Sequence, residues 1–371
     1  MTPLRVAIVG GGMIAAVHRR AALLAGAQVS VVLGSSPERS AEIARDWGVE
    51  TAAGSIEELL ADRPDVVHVC TPNATHVAYA RAALEAGCHV VCEKPLATSV
   101  EDAEALATLA ETAGLVATVP FVYRFHPLVR EIRARVAAGE LGTVHLVHGS
   151  YLQDWLLDPA ASSWRVFEAD GGPSRAFADI GSHWCDLVEF VTGRRFTELV
   201  ADLRTVYGER PVSSGASFGG ANGGDTAPVT TEDAATVLLR TADGVPGSVV
   251  ISQVSAGRKN RLWFEIDGER QCAVFDQENP ESVWLGGEAS STVLVRDGSQ
   301  GSPDARRLSS LPAGHAQGYA QCFESFVADT YAAVRGEVRD GLPTFADGAR
   351  SAHLIDAVLR SAASRAWTEI A

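Results

Sequence analysis

The spacing of apolar and polar residues divides the chain into two regions. In the first region, short apolar runs alternate with segments whose apolar residues recur at helical spacing. The runs predict buried strands at Val6–Val9, Gln28–Leu33, Val66–Cys70, Val90–Cys92 and Leu115–Phe121. Alternating strands and helices specify a parallel sheet with right-handed crossovers. We therefore expect a doubly wound α/β domain over residues 1–122.

The second region, residues 123–371, has longer strand-like runs joined by Gly, Ser and Asp turns, a pattern typical of antiparallel sheet. The runs are Val144–Gln153, Glu198–Val206, Ala234–Leu239, Ser248–Val254, Arg261–Ile266 and Cys272–Phe275. Helices are predicted at Leu128–Ala138, Tyr319–Arg335 and Ala346–Ala363, and an exposed loop at Gly208–Thr231. We expect a second α/β domain built on a mostly antiparallel, open sheet. One face of such a sheet needs cover, which predicts a homodimer or homotetramer.

Composition narrows the classes of function. The 371 residues carry a net charge of −15, which argues against nucleic-acid binding. No apolar run reaches the length of a membrane span, so no membrane association is expected. The six cysteines form no C-x-x-C pair, which favours reduced thiols in the cytoplasm. In the strand-like run Cys88–Cys92, His89 points away from both cysteines, so no metal site is expected.

Between the first strand and the first helix lies the spacing Gly10-x-Gly12-x-x-Ala15, the form of the dinucleotide-binding fingerprint. Gly10 permits a tight turn, and Gly12 lets a pyrophosphate approach the backbone. The helix start at Met13 and Ile14 then offers N–H groups and the positive end of the helix dipole. A plain turn is the alternative, but the position between strand and helix favours cofactor binding.

The end of the second strand bears on the choice between NAD and NADP. NAD sites place an Asp or Glu there to bind the ribose hydroxyls, whereas this chain has Gly34. Ser35, Ser36 and Arg39 could instead bind a 2′-phosphate, although Ser36 could equally be an ordinary helix cap. We expect NAD or NADP, with NADP slightly favoured.

Other strand ends should meet the glycine turn, because ligands of parallel sheets bind at the carboxyl ends of the strands. The candidates for cofactor contact there are Thr71, Pro72, Asn73, His76, Glu93 and Lys94. A lysine at a strand end is often only a solvated charge, yet beside a nicotinamide it can donate to a substrate oxygen. Pro95 is a candidate for a cis peptide bond.

Asp179 and His183 lie four residues apart in a segment with helical spacing, which would place them on one face. Histidine can act as a general acid or base, and a carboxylate can orient its ring. The alternative makes Asp179 a helix cap and His183 a core residue. Asp186 is interpreted as a structural or helix-surface acid.

A polar and aromatic cluster is the candidate substrate site, since rings can contact the C–H faces of a sugar and polar groups its hydroxyls. Half-buried strand residues would give the same pattern. The candidates are Tyr123, Arg124, Tyr151, Gln153, Asp154, Trp155, Trp164 and Arg165.

Four segments in order, GGGMIAAVH, TPNATH, CEKPLATS and DIGSHWCD, resemble the Gfo/Idh/MocA oxidoreductases over nearly the whole chain. The resemblance implies a Rossmann domain, an α/β domain with a large open sheet often used for oligomerisation, and catalytic roles for Lys94, Asp179 and His183. SYLQDWLL and GGPSRAFADIGSHWCD look closest to a subgroup that oxidises sugars and anhydrosugars, such as levoglucosan dehydrogenase.

The implied function is NAD(P)-dependent hydride transfer at a secondary hydroxyl of a sugar, anhydrosugar or cyclitol. Two alternatives stay open. Some relatives use bound NAD to cleave glycosides, and a non-catalytic nucleotide sensor could retain the fold. Ala15 in place of the third glycine is a mild departure from the pattern, while Gly34 leaves the choice of cofactor open.

Overall fold

The structure is a computed structural model that describes residues 2–212, 220–221 and 225–371. Its contacts divide the chain into two compact units. The first contains the chain through Pro120 and a returning segment, Phe323–Ala352; the second contains Phe121–Cys322 and His353–Ala371. The predicted division after residue 122 did not include this return, because the apolar pattern of a helix does not reveal which core the helix covers.

The first unit is built on a six-stranded parallel sheet. Its strands are β1 (Arg5–Val9), β2 (Gln28–Leu33), β3 (Thr51–Ala53), β4 (Val66–Val69), β5 (His89–Cys92) and β6 (Ala117–Thr118). The helices that connect them are α1 (Met13–Leu24), α2 (Pro37–Trp47), α3 (Ile56–Ala61), α4 (His76–Glu85) and α5 (Val100–Ala113).

The strands lie in the order β3-β2-β1-β4-β5-β6, the arrangement of doubly wound dinucleotide-binding domains. β1 and β4 are almost wholly buried, as expected for strands covered on both faces. Ser36 and Ser99 cap the N-termini of α2 and α5 by accepting backbone N–H groups. The predicted Rossmann-type sheet is confirmed.

The last strand of this sheet is shorter than predicted. β6 ends at Thr118, whereas the apolar run suggested a strand as far as Phe121. Pro120 has no N–H group to donate to a neighbouring strand. The N–H group of Val119 donates instead to the carbonyl oxygen of Pro343, in the returning segment of the same unit.

The second unit holds most of the remaining elements. Its strands are β7 (Val144–Leu152), β8 (Ala161–Ser162), β9 (Phe196–Arg204), β10 (Glu209–Pro211), β11 (Gly220–Ala221), β12 (Thr226–Pro228), β13 (Ala234–Thr241), β14 (Pro246–Ser252), β15 (Arg261–Gly268), β16 (Gln271–Asp276), β17 (Ser282–Gly287), β18 (Ser291–Val295) and β19 (Thr368–Glu369). The helices from here onward are α6 (Pro127–Ala137), α7 (Glu168–Gly171), α8 (Ser182–Thr192), α9 (Pro303–Leu308), α10 (Tyr319–Val334) and α11 (Phe345–Ser364).

Nine of these strands form one open sheet, in the order β18-β17-β16-β15-β7-β14-β13-β9-β19. All neighbouring pairs are antiparallel except β7 and β14. Alternate residues, including Val147, Phe264 and Val237, point into the main core. The opposite face exposes large apolar side chains, namely Leu238, Val250, Trp284 and Val293. The predicted antiparallel sheet is confirmed, and it is larger than the six predicted strands.

The predicted exposed loop Gly208–Thr231 contains short strands among its described residues, although many of these residues are exposed as expected. β10 pairs with β12, and β11 pairs with β8. The side chain of Arg210 is fully buried and donates to the carbonyl oxygens of Leu156 and Ala161 at 2.6 and 2.8 Å. The abundance of Gly and Ser in Gly208–Thr231 suggested a loop, whereas the buried Arg210 side chain anchors this segment. Residues 213–219 and 222–224 lie outside the described residues.

A glycine in β7 determines how α8 packs on the sheet. A Cβ atom on Gly149 would lie 2.4 Å from Nε1 of Trp184 and 2.2 Å from the carbonyl oxygen of Trp263. The missing side chain leaves room for the indole of Trp184, whose Nε1 donates to that carbonyl oxygen at 2.9 Å. The contact fixes the helix that carries His183.

Candidate active site

The glycine turn after β1 has the geometry of a phosphate-binding loop. Gly10 has φ +112°, and a Cβ atom there would lie 2.5 Å from the carbonyl oxygen of Cys70. Gly12 is the N-cap of α1 and has no side chain to occupy the first N–H groups of the helix. Met13 is half exposed beside this turn, and Ile14 is partly buried. This backbone fits the pyrophosphate of a dinucleotide.

The first turn of α2, just after β2, places a cation beside the glycine turn. Nη2 of Arg39 lies 3.4 Å from the carbonyl oxygen of Gly11, while Nη1 pairs with Glu42 at 2.9 Å. The hydroxyl of Ser36 accepts the backbone N–H group of Arg39, so Ser36 is a helix cap. Ser35 is exposed. The structure therefore leaves Arg39 and Ser35 accessible next to the turn, with Ser36 in the capping role.

The ends of β1, β4 and β5 come together as the sequence predicted. The N–H group of Cys70 donates to the carbonyl oxygen of Val9, and that of Glu93 donates to the carbonyl oxygen of Val69. The three strands therefore end at the same level of the sheet. Thr71, Pro72 and Asn73 follow β4; Glu93 and Lys94 follow β5. The Lys94–Pro95 peptide bond is cis.

His76 joins two of these loops. Its ring is fully buried, with Nδ1 2.8 Å from the carbonyl oxygen of Pro95 and Nε2 2.9 Å from that of Thr71. Burial lowers the pKa of His76. The side chain thus holds the loop after β4 against the loop after β5. Direct contact of His76 with a cofactor stays a prediction.

In the second unit, aromatic rings surround His183 at the start of α8. The ring centroids of Phe121, Tyr123 and Tyr151 lie 5.6, 5.4 and 6.4 Å from that of His183. The first two rings meet the imidazole edge on. His183 is 9% exposed, so its imidazole retains a narrow opening in a largely apolar setting.

Two phenols and an amide form a closed ring of hydrogen bonds next to His183. Nδ2 of Asn260 donates to the hydroxyl of Tyr123 at 3.0 Å, and the hydroxyl of Tyr151 donates to Oδ1 of Asn260 at 2.7 Å. The remaining bond, 2.8 Å between the phenols, must then have Tyr123 as donor. Burial raises the pKa of Tyr123 to about 12 and that of Tyr151 well above its usual value. Neither phenol is a base at neutral pH.

The amide network continues along the edge of the sheet. Nε2 of Gln153 donates to Oδ1 of Asn260 at 2.9 Å, and Nε1 of Trp155 donates to Oε1 of Gln153 at 3.0 Å. Asp154 instead pairs with Lys259 at 2.6 Å on the surface. Gln153 and Trp155, both predicted site residues, therefore join the group that includes Tyr123 and Tyr151.

The carboxylate of Asp179 accepts a hydrogen bond from a residue that follows the sheet strand β14 and pairs with an arginine in a neighbouring turn. Nε2 of Gln253 donates to its Oδ2 at 2.8 Å, and Nε of Arg165 lies 3.7 Å from its Oδ1. The Arg165 guanidinium in turn covers the ring of Trp164 at 4.3 Å. Asp179 lies in a π-helical turn, Phe177–Gly181, rather than in the regular helix that the four-residue spacing suggested. Such turns are frequent at functional sites.

Arg124 is committed to an ion pair. Its Nε donates to Oδ2 of Asp186 at 2.8 Å, and its Nη2 bonds to Oδ1 of the same carboxylate. Both side chains are buried, and the guanidinium lies 5.0 Å from the ring of Phe190. Substrate contact by Arg124 stays a prediction, while the structural role inferred for Asp186 fits this pair.

Sequence reasoning missed Asn260 and Gln253. Asn260 precedes β15, and Gln253 follows β14, just as the predicted residue Gln153 follows β7. β14 and β15 are the two neighbours of β7, so all three amides lie at the same edge of the sheet. Amides directly beyond the ends of adjacent strands were the signal that could have identified them.

Comparison with family models identifies both parts of the chain. Residues 4–121 match the NAD-binding Rossmann fold of an oxidoreductase family, and residues 129–274 match the C-terminal domain of the same family. The chain belongs to the Gfo/Idh/MocA family of oxidoreductases. The family assignment predicted from the four sequence segments is therefore confirmed.

Several Gfo/Idh/MocA proteins resemble the chain over its full length. Levoglucosan dehydrogenase from Pseudarthrobacter phenanthrenivorans is 32% identical, with 100% of this chain and 99% of the relative covered. A solved levoglucosan dehydrogenase in complex with NADH and L-sorbose is 30% identical, with a TM-score of 0.90 and 99% of each chain covered. An inositol dehydrogenase homologue from Azotobacter vinelandii, in complex with NADH and myo-inositol, is 28% identical, with a TM-score of 0.84 and 99% and 98% of the chains covered.

The family match establishes an oxidoreductase with an NAD-binding Rossmann domain, as expected from the glycine turn. It leaves the predicted preference for NADP open. Within the described part of the chain, no helix combines the length and apolarity needed to cross a membrane.

Proposed function

We propose that the chain oxidises a secondary hydroxyl of a sugar, anhydrosugar or cyclitol with NAD(P)⁺, or catalyses the reverse reduction. The observation that carries the proposal is the hydrogen-bonding edge of the second unit's sheet beside His183. Tyr123, Tyr151, Asn260 and Gln153 there present hydroxyl and amide groups together with ring surfaces. Such a mixture suits a ligand that has many hydroxyls and apolar C–H faces. The relatives named for levoglucosan and myo-inositol act on or bind compounds of this kind.

Oxidation of a carbinol removes a hydride from carbon and a proton from the hydroxyl. Bound NAD(P)⁺ supplies the hydride acceptor. We assign the proton to His183, because a neutral imidazole is available near pH 7 and a positioned base contributes about 10²–10⁴-fold. The two nearby phenols remain protonated at that pH and serve as hydrogen-bonding groups.

Asp179 and Lys94 have supporting roles in this proposal. The Asp179 carboxylate, fixed by Gln253, would stabilise positive charge on His183 one turn later. Lys94 would donate to the reacting oxygen and favour its partial negative charge. His183→Ala and Lys94→Ala should each lower kcat and leave cofactor binding nearly intact. If only His183→Ala were silent, Lys94 would become the acid–base group.

The experiment is a panel of sugars, anhydrosugars and cyclitols with NAD⁺ and NADP⁺, read by the absorbance of the reduced nicotinamide. Consumption of added cofactor in proportion to substrate supports a dehydrogenase. Cleavage of a glycoside without net cofactor consumption would assign the chain to the hydrolase alternative. Cofactor binding without turnover of any substrate would favour the nucleotide sensor.

We further propose that NADP binds at least as well as NAD, because β2 is followed by Gly34 rather than a carboxylate and Arg39 lies beside the glycine turn. Arg39→Ala should weaken NADP binding and leave NAD binding nearly unchanged. Arg45→Ala, at the other end of the same helix, is the matched control. A tenfold preference of the unaltered protein for NAD, about 1.4 kcal/mol, would contradict the proposal.

A homo-oligomer built on the open sheet face completes the proposal. Leu238 and Val250 are 48% and 44% exposed on neighbouring strands, and Trp284 and Val293 are exposed farther along the same face. Light scattering should give a dimer or tetramer, and Leu238→Glu with Val250→Glu should reduce the mass. A monomer at micromolar concentration would contradict it.

A cytoplasmic location stays a prediction, supported by six free cysteines.

A further inference from the structure

Four buried polar side chains in the first unit form a continuous chain of hydrogen bonds. The hydroxyl of Tyr331 lies 2.9 Å from Nε2 of His68, and Nδ1 of His68 lies 2.8 Å from Nδ1 of His18. Nε2 of His18 then lies 3.0 Å from Oε1 of Glu93. Tyr331, His68 and His18 have no exposed surface, and Glu93 is 7% exposed. Buried polar groups at this depth are costly unless each is satisfied.

We propose that Tyr331, His68 and His18 are positioning residues, which together hold the Glu93 carboxylate as a buried anion and through it fix Lys94. The function assigned to this arrangement rests on the proposed role of Lys94 in hydride transfer. The arrangement itself lies wholly within the first unit and can be tested without substrate.

The donor and acceptor of every bond follow from the chemistry of the two ends. An ionised carboxylate only accepts, so Nε2 of His18 carries a hydrogen and Nδ1 of a neutral His18 is an acceptor. Nδ1 of His68 must therefore donate, which leaves Nε2 of His68 as an acceptor. The hydroxyl of Tyr331 donates to that nitrogen. Each link determines the next, so that a neutral His18 gives the two imidazoles defined and opposite tautomers.

The reversed order of donors and acceptors, with a protonated His18, is less favourable. Protonation of His18 would make its Nδ1 a donor and would force His68 to donate through Nε2 to Tyr331. The phenolic hydrogen would then lose its acceptor in a fully buried position, which costs the desolvation of that group. Burial also lowers the pKa of His68 well below its usual value. The neutral, ordered arrangement is therefore the stable one.

Glu93 connects these hydrogen bonds to the backbone of the loop after β5, which carries Lys94. Its Oε1 accepts from His18, and its Oε2 accepts the backbone N–H group of Lys94 at 3.2 Å. Both oxygens of the carboxylate thus bind groups of the protein, and a negative charge lies directly beside Lys94. We infer that Glu93 acts as an anchor for this loop, whereas the sequence suggested direct contact with the cofactor.

Other titratable and charged groups surround this series of hydrogen bonds and affect how it responds to pH. Lys94 and His76 influence Glu93, and the Glu93 charge in turn acts on the thiols of Cys70 and Cys92. Phe323 packs edge on against His18 at 4.7 Å, and Arg335 lies near Tyr331. Hydrogen bonding to His18 lowers the pKa of Glu93 despite its burial, in agreement with an anionic carboxylate.

The first test is the nitrogen NMR spectrum of histidine-labelled protein without substrate. We expect His18 as the Nε2–H tautomer and His68 as the Nδ1–H tautomer at pH 7.5. Tyr331→Phe removes the terminal donor, so it should shift the Nε2 resonance of His68 while the Nδ1–H tautomer is retained. Tyr79→Phe, a partly exposed phenol of the same unit, is the control. An imidazolium or the reverse tautomers at pH 7.5 would overturn the ordered chain.

The second test measures the effect on turnover. Tyr331→Phe should lower kcat roughly tenfold, with the cofactor dissociation constant changed by less than about twofold. Glu93→Gln, which cannot bind both His18 and Lys94 as the anion does, should lower kcat further. An unchanged kcat in both variants would overturn the positioning role. If the unaltered protein oxidises no sugar or cyclitol, the proposed function fails. The NMR result still shows whether the hydrogen bonds from Tyr331 to Glu93 have the proposed order.

Discussion

The carboxylate of Asp179 accepts a hydrogen bond from the side-chain amide of Gln253 across 2.8 Å, although the two residues are 74 positions apart in the chain. Gln253 directly follows β14, and its backbone is fixed by a bond from its N–H group to the carbonyl oxygen of Asp233. The sheet thereby sets the position of an acid in the turn before His183. The orientation of the proposed catalytic pair depends on the second unit's sheet as well as on its helix.

Gln253→Leu should lower kcat roughly tenfold, because Asp179 loses a fixed donor while the fold keeps a side chain of similar size. The cofactor dissociation constant should remain unchanged. Gln271→Leu, a partly buried glutamine in β16, is the matched control for the loss of an amide. Steady-state kinetics on both variants measure the effect, and equal kcat values would contradict the role of Gln253.

Gly10→Ala should weaken cofactor binding by 100-fold or more, about 3 kcal/mol, since its Cβ atom would lie 2.5 Å from the Cys70 carbonyl oxygen. Gly26→Ala is a stringent control. Gly26 also has positive φ, +78°, yet an added Cβ atom there meets nothing within 4 Å. Titration with NADH and NADPH compares the two variants. A similar loss in both would attribute the effect to backbone strain rather than to the turn.

The sequence was sufficient for the first unit because its local chemistry is explicit. Strand, glycine turn and helix adjoin within residues 5–24, and parallel pairing brings the ends of β1, β4 and β5 together. The same pattern could not show that Phe323–Ala352 returns to this unit. An amphipathic helix shows that one face is buried, while the partner of that face depends on tertiary packing.

The candidate site in the second unit was only partly predictable. Tyr123, Gln153 and Trp155 stood out as aromatic and polar neighbours, but Asn260, which joins them, could be found only by knowing that β15 lies beside β7. Asp179 and His183 were found by their spacing, although Asp179 lies in a π-helical turn and His183 in the regular helix that follows. Arg124 looked like a ligand-binding cation, and only the fold shows its buried pairing with Asp186.

His126 predicts a loss of stability in acid. Its ring caps α6 by accepting the N–H group of Leu128, and burial lowers its pKa from 6.5 to about 4. The unfolded chain therefore binds the proton more tightly, so the free energy of unfolding should fall as pH drops from 6.5 towards 4. The full effect is about 3 kcal/mol.

The measurement is urea unfolding as a function of pH for the unaltered protein and for His126→Asn. Asparagine can still cap the helix but does not titrate, so the variant should show a shallower decline across this pH range. Identical slopes would show that His126 is not responsible for the acid sensitivity.

Asp233→Asn should destabilise the second unit by about 3–5 kcal/mol, because the substitution leaves two buried guanidinium groups without their anion. Oδ1 of Asp233 lies 2.5 Å from Nη2 of Arg175 and 3.3 Å from Nη2 of Arg210, and all three side chains are fully buried. Thermal and urea unfolding measure the change.

Asp243→Asn is the matched control, since Asp243 pairs with Arg194 at 2.9 Å but is 53% exposed. A surface pair of this kind contributes about 0–1 kcal/mol. Equal destabilisation by the two substitutions would contradict the assigned importance of the buried pair.

The most direct test of the proposed function is the turnover of Lys94→Ala with the best sugar or cyclitol of the panel, measured at saturating cofactor alongside its cofactor dissociation constant. We predict a kcat lower by about 10²–10⁴-fold, because the reacting oxygen loses its donor, with cofactor affinity nearly unchanged. Turnover of Lys94→Ala at the rate of the unaltered protein would contradict the mechanism.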